Sequence, residues 1–187
     1  MNNKTKIITT SGVMGALTFV VMFLETYVFT IVIPLAPPCI LSLSLAITLS
    51  LAGDWKYMFI GGTAMGVCSL IIAFIIGNPV FILPWVSILP RVFIGVVAFG
   101  VAKLISKLTK NSKNKFLSQY LPNGFGAVLG VITNTVLVLS MMYLLRLVGT
   151  EDIIATFMAI NFPLEVIGSA ILVPILVNVV KRFNKGV

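Results

Sequence analysis

The sequence has no histidine, only five Asp or Glu, and two cysteines in 187 residues. Without histidine, the side chain that most often serves as a general base or metal ligand is missing. The acids, Glu25, Asp54, Glu151, Asp152 and Glu165, show no carboxylate pair at a recognisable catalytic spacing. No glycine-rich phosphate loop and no nucleophile motif is present. The chain is therefore expected not to be an enzyme, to take no cofactor or metal, and not to couple ATP hydrolysis to anything by itself. Cys39 and Cys68 each sit inside an apolar stretch. Two such residues define neither a disulfide framework nor a metal site, and they read as small apolar core residues. Charge is scarce as well: 10% of residues are Asp, Glu, Lys or Arg, against roughly 25% in a soluble domain.

Apolar residues fill the space. They make up 59% of the chain, and the mean hydropathy is +1.13. A bilayer span takes roughly 20 apolar residues, so the length accommodates about six spans joined by short loops. The expectation is an all-α integral membrane protein, a single transmembrane domain over 1–187. The spans read as Ile7–Ile33, Cys39–Ala52, Trp55–Ile76, Ser87–Leu108, Gly124–Leu147 and Met158–Val180. Pro34, Pro37 and Pro38 close the first, Gly53-Asp54 the second, and Gly77-Asn78-Pro79 the third, because proline cannot continue a helix. The second is short: fourteen residues at about 1.5 Å each reach only about 21 Å. Met1 to Lys6 resembles the start of a signal sequence, but the apolar run behind it is longer than a signal core, and it reads as a retained first span. The chain shows no internal repeat and no low-complexity tract.

The net charge of +8 raises nucleic acid as a partner, but the basic residues lie at the edges of apolar runs, so no nucleic-acid role is expected. They report orientation instead. With the N-terminus inside, Lys4, Lys6, Lys56, Lys103, Lys107, Lys110, Lys113, Lys115, Lys181, Arg182 and Lys185 fall on the inner side, and Arg91 and Arg146 on the outer. That bias places both termini in the cytoplasm.

An ionisable residue within a span is costly and faces a partner or a cavity. Glu25, Arg91, Arg146 and Glu165 all map to the outer half, with Asn78 and Trp85 in the outer loop, Asn161 at the outer end of the last span and Asn134 near mid-depth. This describes a pocket open to the outside, beneath proline-broken apolar loops of the kind tolerated only against protein or water. Bland alternatives stand beside it. Arg91 and Glu165 either neutralise one another and fix helix packing or meet a ligand. Arg146 snorkels to the headgroups. Glu25 is a structural partner, an interfacial residue or a ligand contact, and Trp85 an interface anchor or a stacking surface. Separately, Ser11/Gly15 and Gly12/Ala16, each four apart, form strips of small residues that let a helix approach closely, from within the protein or from a partner subunit.

Two stretches carry a resemblance. Pro84-Trp85-Val86-Ser87-Ile88-Leu89-Pro90-Arg91-Val92-Phe93-Ile94-Gly95 and Gly130-Val131-Ile132-Thr133-Asn134-Thr135-Val136-Leu137-Val138-Leu139 resemble segments of the substrate-binding S components of energy-coupling-factor transporters, the bacterial vitamin importers of the ABC superfamily. The strip in the first span is similar to that family's alanine-rich contact motif, with glycine and serine replacing most alanines. Leu83 departs from the pattern, where asparagine is expected. The resemblance implies a multi-pass protein of the bacterial plasma membrane that captures a vitamin with high affinity. Its partners would be a transmembrane coupling subunit, contacted by Ser11, Gly12, Gly15 and Ala16, and two ATPase subunits. The substrate-binding residues would be Asn78, Trp85, Arg91, Asn134, Asn161 and Glu165, and the loop from about Thr30 to Pro38 would be a gate. Arg91 favours an anionic group, so pantothenate or a similar small carboxylate leads. Riboflavin or another aromatic vitamin, stacked on Trp85, Phe81 and Tyr143, is the alternative within the family, and a self-sufficient secondary transporter is the alternative outside it.

Overall fold

The computed structural model describes residues 3–31, 38–53, 55–110, 114, 116–146 and 157–186. Among these residues every regular element is helical: α1 (Asn3–Thr30), α2 (Ile40–Leu51), α3 (Trp55–Ile76), the short α4 (Pro84–Ser87), α5 (Leu89–Leu108), α6 (Leu121–Leu144) and α7 (Phe162–Gly186). A π-type turn leads into each of α6 (Phe116–Tyr120) and α7 (Phe157–Asn161). Five helical stretches are long and apolar enough to cross a membrane, namely Lys4–Phe29, Trp55–Ile76, Pro84–Leu108, Phe116–Leu144 and Met158–Phe183. Span four thus begins earlier than the sequence suggests, because Pro84 and Pro90 both sit in the first turn of a helix, where proline's missing N–H costs nothing.

The second segment departs most from a simple span. α2 has 12 residues, about 18 Å at about 1.5 Å each, shorter than a hydrocarbon core of about 30 Å. Every residue from Ser42 to Leu51 is buried, so α2 is the central helix, with α1, α3, α5 and α7 packed around it. Its Ser-Leu alternation fits that place. Ser44 and Ser50 return their hydroxyls to the carbonyls four residues back, at 2.7 and 2.9 Å, and the Ser44 hydroxyl also lies 3.1 Å from that of Ser169 on α7.

The bundle is apolar outside and carries its polar groups within. Val13, Leu24, Phe74, Phe93, Val136 and Ile167 are exposed, while Thr18, Ser42, Thr48, Ser69, Arg91, Asn134 and Glu165 are buried. A lipid-facing protein has this distribution, since hydrocarbon leaves backbone and polar groups nothing to bond with.

The tightest crossing joins α3 to α5. A Cβ on Gly62 would collide with the backbone of Arg91 and Val92, one on Gly66 would come 2.9 Å from Ile88 Cα, and one on Gly95 would strike the Met58 carbonyl. Gly62 and Gly66, one turn apart, thus form the close-packing seam of this molecule. On α1 the position differs: a Cβ on Gly12 or Gly15 meets nothing within 4 Å, and Gly12 and Ala16 are exposed.

The ends of the bundle are chemically distinct. Leu51, Lys103, Gln119, Asn178 and Arg182 line one cavity, which gathers the C-terminal ends of α2, α5 and α7 with the start of α6. Lys6 and Lys56 start α1 and α3. Cys39, Ile76, Arg91 and Glu165 line a second cavity, gathering the opposite helix ends. The helices alternate in direction, and the lysines and the buried acids occupy opposite ends.

Candidate functional site

The carboxylates are placed by the exposed start of α2. Helix N-terminal N–H groups need acceptors, and Cys39, which precedes α2, supplies none from its side chain. Glu25 of α1 takes that role from outside the helix. Its Oε1 accepts from the Leu41 amide at 2.6 Å, and its Oε2 accepts from the Ser42 amide at 3.0 Å and the Ser42 hydroxyl at 2.6 Å. Glu165 of α7 joins at the same point, its Oε1 accepting from the Cys39 amide at 3.1 Å. Both acids sit where the partial positive charge of a helix N-terminus favours them. Glu25 is a cap supplied in trans, with both oxygens in use. Glu165 has one oxygen committed, while Oε2 is buried with no hydrogen-bond partner.

Arg91 opens α5 from the other side, 5% exposed. Its Nη1 donates to the Val86 carbonyl at 2.6 Å, and its guanidinium carbon lies 5.1 Å from the centroid of the Phe81 ring. The α4 turn makes this possible. Ser87 donates its hydroxyl to the Phe81 carbonyl, which folds the 81–87 stretch under the guanidinium. Arg91 Nε is buried without a partner. Among the described residues no ion pair in direct contact joins Arg91 to Glu165, though both line the same cavity.

Asn134 enters from α6. Its face of the helix runs Gly126, Gly130, Asn134, Val138, all buried. Gly126 and Gly130 admit Ala98 of α5, whose carbonyl would lie 2.7 Å from a Cβ on Gly126 and whose own Cβ would lie 3.3 Å from one on Gly130. That approach draws Asn134 inward, and its Oδ1 is buried and unpartnered. Asn78 comes from the end of α3. Gly77 takes φ +76°, the left-handed cap that glycine reaches without strain, and Asn78 Oδ1 then accepts from the Val80 amide at 3.1 Å.

Asn78, Arg91, Asn134 and Glu165 line one cavity, together with Met22, Thr26, Met65, Ser69 and Phe81. Its free volume is about 50 Å³, which would admit only a few water molecules at roughly 10–15 Å³ each. A larger ligand would require the lining to move, and that lining includes the unbranched side chains of Met22 and Met65.

The remaining predicted positions lie elsewhere. Trp85 is 65% exposed and lies on a shallow outer surface with Ile88 and Val92, because the α4 turn directs it away from the bundle. Tyr143 is 66% exposed, and of the expected aromatic wall only Phe81 lines the cavity. Asn161 is fully buried in the turn before α7 but is not in the cavity lining. Arg146 is exposed beyond the end of α6, away from the cavity. The expected gate falls largely on residues 32–37, outside the described residues. The Cys39 amide is the contact that sequence reasoning missed: a backbone donor leaves no trace in residue identity. Comparison with known protein families, with curated proteins and with solved structures gives no match to this chain.

Proposed function

We propose that this chain is the substrate-binding S component of an energy-coupling-factor importer, a six-pass protein with both termini in the cytoplasm, and that the cavity beneath α4 is its vitamin site. One observation carries the reading. Three buried polar groups on three different helices, Arg91 Nε, Asn134 Oδ1 and Glu165 Oε2, lack partners and belong to residues lining one cavity. Leaving such groups unpaired costs roughly 1–3 kcal/mol each, and a protein gains from that arrangement when a ligand completes it. The set offers one cationic donor and two acceptors, which suits a small acid that also carries hydroxyl or amide donors. Pantothenate has that form and leads. With Trp85 and Tyr143 outside the cavity, an aromatic vitamin has less to recommend it. Occupancy would be transmitted to a transmembrane coupling subunit, driven by two ATPases, through the open face of α1 at Gly12, Gly15 and Ala16.

Mass spectrometry of small molecules released from the detergent-purified chain tests the reading. A carboxylate vitamin is expected at about one per chain in the wild type and at much lower occupancy in Arg91→Ala. A preparation that releases no vitamin and shows no calorimetric response to pantothenate or riboflavin removes the proposal.

A further inference from the structure

The basic end of the bundle holds a second charged cavity, and vitamin binding at the other end does not use it. Lys103 at the end of α5 and Lys181 and Arg182 at the end of α7 line it, with the amides of Asn123 and Asn178 and, among the described residues, no acid; its free volume is about 510 Å³. Asn178 Nδ2 is buried there without a partner, while Asn123 Nδ2 donates to the Gln119 carbonyl at 2.8 Å. Lys103 is held over the Phe99 ring, its ammonium 5.8 Å from the centroid. Solvated lysines that only mark orientation need no cavity and no buried amide donor. Three cations around one concave space, with an unpaired N–H beside them, make a receptor for an anionic oxygen group.

A second cavity adjoins it. An apolar groove between α6 and α7, also of about 510 Å³, is lined by Tyr120, Gly124, Ile171, Pro174 and Ile175 among others. Tyr120 lines both spaces. On α7, Ile171, Ile175, Asn178 and Arg182 follow one another at helical spacings of four, three and four, so one stripe of the helix passes from the groove into the basic pocket. The groove passes Gly124, where an added Cβ would meet Ala170 O and Pro174 Cγ at 3.7 Å, so a small side chain fits there and a long one fills the space. Its Ile171 and Ile175 are exposed. A headgroup-sized basic pocket continuous with an apolar channel along the outside of a bundle matches one class of molecule in charge and shape.

We propose that the two cavities together bind an anionic phospholipid, with the phosphate among Lys103, Lys181 and Arg182 and one acyl chain along the α6–α7 groove past Gly124. Each cation close to an anionic lipid contributes roughly a fivefold preference. The test uses native mass spectrometry of the full-length protein, delipidated in detergent and offered equal amounts of phosphatidylglycerol and phosphatidylcholine with identical chains. The wild type is expected to retain phosphatidylglycerol at least roughly tenfold over phosphatidylcholine. Lys181→Gln with Arg182→Gln should reduce that preference roughly twenty-five-fold or abolish it. Gly124→Leu, which fills the groove, should weaken retention of both lipids, and millimolar inorganic phosphate should not displace the bound lipid. Equal retention of the two lipids by the wild type overturns the proposal without recourse to any variant. Displacement by inorganic phosphate, with Gly124→Leu behaving as wild type, also overturns it and leaves a simple anion site.

Discussion

At the scale of single residues, the two intramembrane acids look alike in sequence and differ in what remains free. Glu25 has both oxygens on α2 backbone and hydroxyl donors, so its carboxylate is part of the fold. Glu165 spends one oxygen on the Cys39 amide and keeps Oε2 at the cavity. Their substitutions should therefore separate. Glu25→Ala strands the Leu41 and Ser42 amides, the second of them buried, at roughly 1–3 kcal/mol for a buried group, and should lower the melting temperature in detergent while the surviving folded fraction binds ligand normally. Arg91→Ala should do the reverse, folding normally and losing about tenfold to a hundredfold in affinity, the worth of a hydrogen bond to a charged group at roughly 1.5–3 kcal/mol. Adding Glu165→Gln to Arg91→Ala tests the ion-pair alternative, since removing both members of a true pair relieves the stranded charge. No recovery of stability is expected. Thermal melting and calorimetry on the same preparations decide it, and a Glu25→Ala protein as stable as wild type would contradict the capping role.

At the scale of helices, glycine has two uses. The seam of Gly62, Gly66 and Gly95 brings α3 and α5 to backbone contact and so sets the angle at which Arg91 enters the cavity. The strip on α1 is open. Gly62→Ala must push the Arg91–Val92 backbone away, and overpacking of this kind costs typically 1–3 kcal/mol; it should lower both the melting temperature and ligand affinity. Gly12→Leu meets no neighbour and should leave melting and ligand binding unchanged, yet block co-purification with a coupling subunit, because a helix partner cannot approach past added bulk. Loss of stability in Gly12→Leu would mean that α1 packs within the protein in the membrane.

At the scale of the whole molecule, the polar cavity and the basic pocket lie at opposite ends, with the central α2 spanning only part of the distance. If the basic end faces the cytoplasm, a membrane-impermeant thiol reagent added to intact cells should label Pro79→Cys but not Lys107→Cys, with Cys39 and Cys68 replaced by alanine. Both test positions are exposed. The reverse pattern would invert the protein and turn the polar cavity inward.

The all-helical class of this protein was legible from composition, because apolar excess and scarce charge suit helices long and apolar enough to cross a membrane. The five long helices were legible too, since runs of twenty apolar residues report length directly. Residue chemistry also marked Asn78, Arg91, Asn134 and Glu165, which share one cavity, because a charge or amide within a span must meet something. What sequence could not decide depended on neighbours far along the chain. Trp85 points outward because of the turn at α4, and Glu25 is a cap because the start of α2 lies beside it. Of two small-residue strips with the same spacing, Gly62/Gly66 is packed and Gly12/Ala16 is open, since spacing states what a helix face permits and only the tertiary arrangement states what is placed against it.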